Sequence, residues 1–490
     1  MKRIFLSKAL AAKNRNCERL SRRELFHLGF ASAAGLLSAR NSIVAQPLEL
    51  SSKPRVLVVG AGFAGLSCAY ELTSAGYDVK VFEAKRRVGG RVLSLKNLIP
   101  GKIVEGGGEL LGSNHPHVLA YAAKFGFEFL DITEEAAASP MILDGRRLTK
   151  LEVEEVESEC ESAYTLMTQE ARLVDAAKPW MTADARRLDL RSTADWITNL
   201  EISKLAKKLL TLQFTVDNAV ATERQSYLGN LAQVKGGGLE RYWIDTELYR
   251  LKDGNQQFAL RLASELGDQR IQLDCPICKI ISTKTAMVAI DAAGNRYEAD
   301  DIVLATPPST WSKIQFTPEL PKILVPQMGS NVKYLSAIKE PLWRNIQCSP
   351  DATTDGDIGQ TWHGTDGQSE EGLVALIAFS GGPAAEAIHQ RAVADRQPAY
   401  TKAFEELFPG YTQHFVRGQM MDWIADPWTQ AGYSFPAPGQ VTTIGPILHG
   451  GLERLNFAGE HCCYQFVGYM EGALHSGASL ARRIAQRDGM

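Results

Sequence analysis

The pattern of apolar and polar positions divides the chain into segments of strand and helix type. The run Val56–Val59 is apolar and β-branched, as in a strand that is buried on both faces of a parallel sheet. A tight turn, a helix-length segment and a second apolar run that ends before Glu83 follow it. Residues 54–84 therefore predict a strand, a turn, a helix and a second strand, which is typical of a parallel α/β unit.

The rest of the chain alternates between helical and extended patterns. Helical periodicity dominates residues 117–250, and a further helix is predicted within 253–267. Strands are predicted in 297–308 and in "LVALIAFSGG", and the segment 452–486 predicts a strand, a loop and a helix. With 490 residues the chain is longer than one hydrophobic core usually supports, so two joined domains are expected.

Charge and cysteine content argue against a nucleic-acid-binding, a disulfide-rich or a metal-binding protein. A net charge of −3 provides no basic surface for nucleic acid, and eight cysteines are too few for a disulfide framework. The "CPIC" segment at Cys275–Cys278 lacks a second ligand pair, and its alternating neighbours predict a buried strand. We therefore predict no metal site and no nucleic-acid partner. Beyond the first 45 residues no apolar run is long enough to span a membrane.

Residues 1–45 have the order of an export signal. A basic leader precedes Ser21, Arg22 and Arg23, an apolar run follows, and Ala45 stands where cleavage is expected. The order resembles a twin-arginine signal peptide, and the alternative is a basic amphipathic helix with a chance Arg-Arg pair. The resemblance implies the twin-arginine export machinery as a partner, export of an already folded protein, and a periplasmic or extracellular location.

The turn after the first strand carries a dinucleotide fingerprint. Gly60, Gly62 and Gly65 form GxGxxG, whose glycines permit the turn, the approach of a pyrophosphate and close helix packing. Glu83 follows Gly65 by eighteen residues, where a carboxylate accepts hydrogen bonds from ribose hydroxyls. The predicted cofactor contacts are Gly60, Gly62, Ala64, Gly65, Glu83 and Ala84. NAD and FAD share this motif.

A second glycine motif favours FAD. The stretch "AKRRVGGRVLS" contains Gly89, Gly90 and Arg91, and it resembles the GG-R signature of the flavin amine oxidase superfamily. The resemblance implies that the glycines let the backbone approach FAD and that Arg91 neutralises its pyrophosphate. The later stretch "VEGGGELLGSNHP" resembles the segment that passes the flavin in microbial L-amino-acid oxidases. It implies cofactor contacts from Gly107, Gly108 and Glu109.

The C-terminal segment carries the most specific resemblance. "FAGE" and "GYMEGALHSG" resemble the C-terminal FAD signature of the monoamine oxidase and L-amino-acid oxidase family. The resemblance implies that Gly459 and Glu460 meet the ribityl–phosphate part of FAD. It also implies that Tyr469 and Met470 lie at the flavin, where the dipole of the last helix favours negative charge on the reduced ring.

The resemblance covers about residues 54–486 and implies an α/β fold. We predict a Rossmann-like FAD-binding domain, with the GxGxxG motif, at 54–115, 253–315 and 441–486. It is interleaved with a substrate domain of mixed sheet plus helical insertion, comprising a helical region at 116–252 and a substrate-binding domain at 316–440. The oligomeric state stays open, with a homodimer as one possibility.

The same resemblance implies the catalytic residues. Lys333 resembles the family lysine beside flavin N5, and Trp423, Tyr433 and Tyr469 match an aromatic site in which the two tyrosines form a cage over the flavin. Some relatives carry a flavin-linking cysteine where this chain has Gly432, so noncovalent FAD is expected.

Oxidation of L-amino acids is the predicted function, with imino and keto acids, ammonia and hydrogen peroxide as products and O2 as electron acceptor. A substrate carboxylate needs a cation, but Leu110 stands where venom-type relatives place an arginine. Arg241 and Arg250 are the candidate replacements, and Glu109 is either a partner for a cationic substrate end or a hydrogen-bonded loop carboxylate. The alternatives are an oxidase or dehydrogenase of primary amines or polyamines, a carotenoid-desaturase-like enzyme, and a noncatalytic FAD-stabilised binding protein.

Overall fold

The computed structural model describes residues 53–132, 137–369 and 371–490. The predicted signal peptide at 1–45 lies outside the described residues. The strands, in chain order, are β1 (Arg55–Val59), β2 (Asp78–Phe82), β3 (Ser94–Leu95), β4 (Val104–Glu105), β5 (Phe129–Asp131), β6 (Met141–Leu143), β7 (Arg146–Arg147), β8 (Tyr249–Leu251), β9 (Ile271–Gln272), β10 (Ile277–Ser282), β11 (Met287–Asp291), β12 (Arg296–Ala299), β13 (Asp301–Leu304), β14 (Gln315–Thr317), β15 (Asn331–Ile338), β16 (Ala352–Thr354), β17 (Gln360–His363), β18 (Val374–Gly381), β19 (Phe415–Asp422) and β20 (Leu455–Phe457).

The α-helices, in chain order, are α1 (Phe63–Ser74), α2 (Pro116–Phe125), α3 (Lys150–Ala171), α4 (Ala185–Leu190), α5 (Thr193–Thr198), α6 (Lys204–Asn218), α7 (Tyr227–Gly236), α8 (Glu240–Asp245), α9 (Gln257–Leu266), α10 (Leu342–Asn345), α11 (Pro383–Gln390), α12 (Val393–Leu407), α13 (Tyr411–His414), α14 (Gln440–Thr443), α15 (Gly445–Gly450) and α16 (Met470–Asp488). Short 3₁₀ helices are Pro179–Met181, Thr222–Arg224, Asp268–Arg270, Pro308–Lys313, Glu460–Cys462 and Tyr464–Phe466. Within the described residues, no helix has the length and apolar character needed to cross a membrane.

A five-stranded parallel sheet forms the centre of the first domain, in the order β20-β13-β1-β2-β9. Strand β1 is buried after its first residue, as its apolar sequence predicts. Helices α1, α9 and α16 share a core with one face of this sheet, and apolar side chains of a mixed sheet, β12-β11-β10-β14, share a core with the other face. The prediction of an α/β fold with a parallel sheet is confirmed.

A seven-stranded mixed sheet forms the second domain, in the order β19-β15-β18-β17-β16-β6-β7. Strands β15 and β18 are buried along their whole length, because apolar clusters cover both faces. Val332 and Tyr334 belong to one cluster, whereas Leu335 and Ala337 belong to the other. Side chains alternate along a strand, so Lys333 shares the face of Leu335 and Ala337.

The helical insertion has its own core, built mainly from α3 to α8. Two parts of the predicted helical region 116–252 join other parts of the structure. Helix α2 contributes Val118 and Tyr121 to the core beside the parallel sheet. Strands β6 and β7 extend the seven-stranded sheet through pairing of β6 with β16. Both departures arise because α2 and β6 are short elements. They bury their apolar side chains against elements that are far away in the sequence.

Candidate active site

A long cavity lies at the carboxyl edge of the parallel sheet. Strands β1, β2, β13 and β20 run in the same direction, so their ends meet at this edge, where α/β sheets bind ligands. The cavity extends from there to the large mixed sheet. It is lined by the predicted residues Gly60, Gly62, Ala64, Glu83, Ala84, Gly90, Arg91, Gly107, Gly108, Glu109, Lys333, Trp423, Tyr433, Gly459, Glu460, Tyr469 and Met470.

Gly65 is the predicted contact that does not line the cavity. A Cβ atom added there would lie 1.9 Å from the carbonyl oxygen of Gly60. Its role is therefore the close packing of α1 on the turn. Gly60 itself has φ +110°, and a Cβ on it would lie 2.8 Å from the carbonyl oxygen of Ala305. This turn needs glycine at both positions.

Glu83 fixes the turn from the end of β2. Its carboxylate accepts hydrogen bonds from the backbone N–H of Ala61 at 2.7 Å and of Lys85 at 2.8 Å. Burial raises the pKa of Glu83, and these two donors oppose the shift. The carboxylate thus organises the backbone of the turn in addition to its predicted contact with ribose.

Arg87 stabilises the GG-R segment through hydrogen bonds to its backbone. The residue belongs to the quoted motif, but its role was not predicted. Its guanidinium donates to the carbonyl oxygens of Val88, Gly90 and Val92. Gly90 has φ +57°, and a Cβ atom added to it would lie 3.3 Å from the Cα atom of Gly62. The two glycine motifs therefore lie against each other at the cavity wall.

Arg91 and Glu460 form an ion pair across the cavity wall. Arg91 Nη1 lies 2.9 Å from Glu460 Oε1 and donates to the carbonyl oxygen of Gly432 at 2.8 Å. Glu460 also accepts from Ser434 Oγ at 2.6 Å and from the Gly468 N–H at 2.8 Å. Burial alone raises the pKa of Glu460, but the Arg91 charge holds it below its ordinary value. Glu460 thus joins three segments of the site.

Three observations indicate that the cavity fits FAD. Its glycines leave a cradle of bare backbone that added Cβ atoms would fill, and helix α16 begins at Met470, at the cavity wall. His461 lines the same cavity and is buried, yet neither ring nitrogen has a hydrogen-bond partner among the described residues. Burial lowers the pKa of His461 to about 4, so the ring is neutral at pH 7 and can hydrogen-bond a polar ligand.

Lys333 belongs to a buried charge cluster. Its Nζ lies 2.6 Å from Glu109 Oε2 and donates to the carbonyl oxygens of Glu105 and Gly107 at 2.8 and 3.1 Å. Arg250 Nε lies 2.8 Å from Glu109 Oε1, and Trp362 Nε1 donates to the same oxygen at 2.9 Å. Burial alone raises the pKa of Glu109, but the charges of Lys333 and Arg250 bring it below the ordinary value.

The predicted carboxylate partners are wrong. Arg250 is buried and bound by Glu109, by Asp366 and by the carbonyl oxygen of His363. Arg241 is an exposed side chain paired with Asp245 at 2.7 Å. The prediction that Glu109 binds a cationic substrate end is also wrong, because protein cations occupy both of its oxygens. Sequence reasoning missed this cluster, whose members come from separate segments.

The predicted aromatic residues also belong to the cavity wall. Tyr433 and Tyr469 both line it, and the Tyr433 ring lies 3.1 Å from the Cβ position of Gly468. Trp423 is buried and donates to the carbonyl oxygen of Gly106 at 3.1 Å. Burial and then the Asp217 carboxylate raise the pKa of Tyr433 and Tyr469 well above the ordinary value. Asp217 lines the same cavity as the two tyrosines.

The position of Gly432 leaves no space for a side chain. An added Cβ would lie 2.6 Å from Asn331 Oδ1 and 3.1 Å from the Asn331 backbone nitrogen. A side chain at this position would therefore require Asn331 to move, and noncovalent attachment of FAD stays a prediction.

These features define a flavoenzyme of the amine-oxidising class, and comparison with known proteins names the family. The family described as flavin containing amine oxidoreductase matches residues 63–485, and the chain belongs to this family. It is therefore an FAD-dependent enzyme.

Related proteins match over most of the chain. It is 27% identical to human amine oxidase [flavin-containing] B over 469 residues, covering 90% of this chain and 88% of the human protein. It is 23% identical to a probable flavin-containing monoamine oxidase A of Dictyostelium discoideum over 459 residues, covering 88% and 97%.

Solved structures share the fold. Cyclohexylamine oxidase from Brevibacterium oxydans superposes with a TM-score of 0.80 at 23% identity, covering 89% of this chain and 100% of that one. Putrescine oxidase bound to putrescine superposes with a TM-score of 0.79 at 22% identity, covering 89% and 99%.

Proposed function

We propose that the enzyme oxidises primary amines or polyamines and transfers the electrons to O2, rather than oxidising L-amino acids. FAD supplies the hydride acceptor, and the chain orients the amine and excludes water. The relatives that carry amine substrates in their names support this proposal, which replaces the prediction of an L-amino-acid oxidase.

The observation that carries the proposal is the pairing of the cations around the cavity. An amino acid must bring a carboxylate into the site, and an unpaired buried charge costs several kcal/mol, of the order of 3–5. Within the described part of the chain, the lining cations that are buried or half-buried are all paired: Lys85 with Asp426, Arg91 with Glu460 and Lys333 with Glu109, whereas Lys313 is exposed beside Trp428. A neutral amine needs no such cation.

The acidic side chains in the cavity favour a substrate with a second positive charge. Asp217 and Glu247 both line the cavity, and Asp217 influences both cage tyrosines. A carboxylate there attracts a distal ammonium or guanidinium group. Diamines, agmatine or polyamines are therefore expected to react more efficiently than phenethylamine, and Asp217→Asn is expected to remove the difference. If the wild-type enzyme oxidises phenethylamine as efficiently as the doubly charged amines, the proposal is limited to simple primary amines.

Anaerobic flavin bleaching tests the proposed activity. The FAD-loaded protein is mixed without O2 with single amines and L-amino acids, and absorbance of the oxidised flavin is followed. Amines should bleach the flavin, and L-amino acids should not. Bleaching by L-amino acids alone would reject the proposal, and an inert flavin would favour a noncatalytic binding protein.

We also propose export of the folded, FAD-loaded enzyme by the twin-arginine route, on the basis of Arg22 and Arg23. Changing both to lysine should retain active enzyme in the cytoplasm of the native host. Undiminished export of the double variant would reject the route.

A further inference from the structure

Two histidines and a glutamate lie together outside the cavity. Glu471 and His475 are four residues apart on α16, so they share one face of the helix. His117 lies in the first turn of α2, and its ring stacks on that of His475 with centroids 4.5 Å apart. One ligand atom from each of the three residues lies within 4.8 Å of the others.

One nitrogen atom of the cluster has no hydrogen-bond partner within the described chain and is available to bind a ligand. Glu471 is fully buried, lies 2.8 Å from His117 Nδ1, and accepts the backbone N–H groups of His117 and Val118. The Nδ1 atom of His475 is buried and has no hydrogen-bond partner among the described residues. A buried polar atom without a partner is costly, by about 1–3 kcal/mol, unless a ligand binds it. The proposed amine oxidation makes no use of these three residues, because none of them lines the cavity.

We propose that His117, Glu471 and His475 bind one Zn²⁺ ion, which departs from the sequence-based prediction of no metal site. Two imidazole nitrogens and one carboxylate oxygen suit Zn²⁺, whereas Mg²⁺ and Ca²⁺ prefer oxygen ligands alone. The two histidines are partly exposed, which leaves a coordination position for water. The ion ties the first turn of α2 to α16, next to Tyr469 and Met470 at the cavity wall.

Equilibrium dialysis against Zn²⁺ tests the site. Tag-free, FAD-loaded protein is first stripped with a chelator, and the bound zinc is then quantified at a series of free zinc concentrations. The wild type should bind one Zn²⁺ per chain at micromolar free zinc. His475→Ala should raise the half-saturating concentration at least about tenfold. His449→Ala, a matched change of a half-buried histidine on α15, should bind as the wild type does.

Thermal unfolding provides a second readout. Zinc should raise the melting temperature of the wild type and of His449→Ala, but not that of His475→Ala, because only a folded-state ligand stabilises the fold. Unchanged flavin content in each variant shows that the fold is retained. Equal zinc uptake by the wild type and His475→Ala, or no uptake by the wild type at millimolar zinc, would overturn the proposal.

Discussion

The walls at the two ends of the cavity are formed by different chemical groups. At the parallel sheet, backbone atoms form the wall: Gly60 leaves no room for a Cβ, Gly65 packs α1 against the turn behind it, and Glu83 accepts from backbone N–H groups. At the mixed sheet, side-chain charges form the wall, with Glu109 between Lys333 and Arg250.

The difference shows what each end can tolerate. The backbone wall is limited by space, since a single methyl group meets a carbonyl oxygen. Substitutions in the charged wall must preserve the pairing of opposite charges, because the removal of one buried charge leaves its partners without a counterion. Substitutions at the two ends should therefore fail in different ways.

Gly65→Ala should have the largest effect. Its Cβ would lie 1.9 Å from a backbone oxygen that cannot rotate away, so we expect loss of bound FAD and destabilisation of at least about 3 kcal/mol. Flavin absorbance relative to protein and thermal unfolding measure the two effects. Gly450→Ala is the matched control, because nothing lies within 4 Å of its Cβ position. A yellow, stable Gly65→Ala protein would show that the turn can relax.

Glu109→Ala should destabilise the charged wall while leaving the backbone wall intact. Lys333 and Arg250 would lose a shared buried carboxylate, at a cost of about 3–5 kcal/mol. Urea unfolding of the FAD-loaded protein measures this cost. The matched control is Glu128→Ala, an exposed carboxylate paired with Lys252, which should leave the unfolding midpoint unchanged. Equal midpoints for the two variants would mean that the buried cluster contributes no stability.

Glu105, whose carbonyl oxygen accepts from Lys333, should make stability depend on pH. Burial raises the pKa of Glu105 to about 7, so the folded protein holds a proton that the unfolded chain releases near its ordinary pKa. The unfolding free energy should therefore fall as the pH rises from about 4.5 to about 7, by up to about 3 kcal/mol, and level off above that range.

Glu105→Gln removes this titration while it keeps an acceptor for the Asn255 N–H. The variant should show a flatter pH profile and should exceed the wild type in stability at high pH. Urea unfolding at several pH values makes the comparison. Parallel profiles for the two proteins would show that Glu105 titrates at its ordinary pKa.

Lys333→Met should affect chemistry more than cofactor retention. Glu109 keeps Arg250 and Trp362, so FAD should remain bound. Loss of the positive charge at the cavity should slow reoxidation of reduced flavin by O2 by about tenfold or more. Stopped-flow mixing of reduced protein with O2 measures this rate. An unchanged rate would assign Lys333 to the stability of the charge cluster alone.

The backbone end could be predicted because its determinants are contiguous. The spacing of Gly60, Gly62 and Gly65, followed by Glu83, specifies a strand, a turn and a helix within one short segment. Gly65 was assigned to the cofactor as well as to helix packing, and only the packing role agrees with its position.

The charged end could not be predicted in the same way. Glu109, Arg250, Lys333, Trp362 and Asp366 meet only after β8, β15 and β17 have taken their places. Lys333 was found through its resemblance to the family lysine. The ion pairs that occupy Glu109 and Arg250 depend on three-dimensional neighbours, so Arg250 was predicted to bind a substrate carboxylate and Glu109 to contact FAD or a cationic substrate end.

The most direct test of amine oxidation compares kcat/KM for an amine and for the L-amino acid that differs from it only by a carboxylate. Phenethylamine with phenylalanine, and agmatine with arginine, are suitable pairs. Because the buried cations around the cavity are already paired, the amine should be better by at least about tenfold, or about 1.4 kcal/mol of transition-state stabilisation. A higher kcat/KM for the amino acid in every pair would contradict the account.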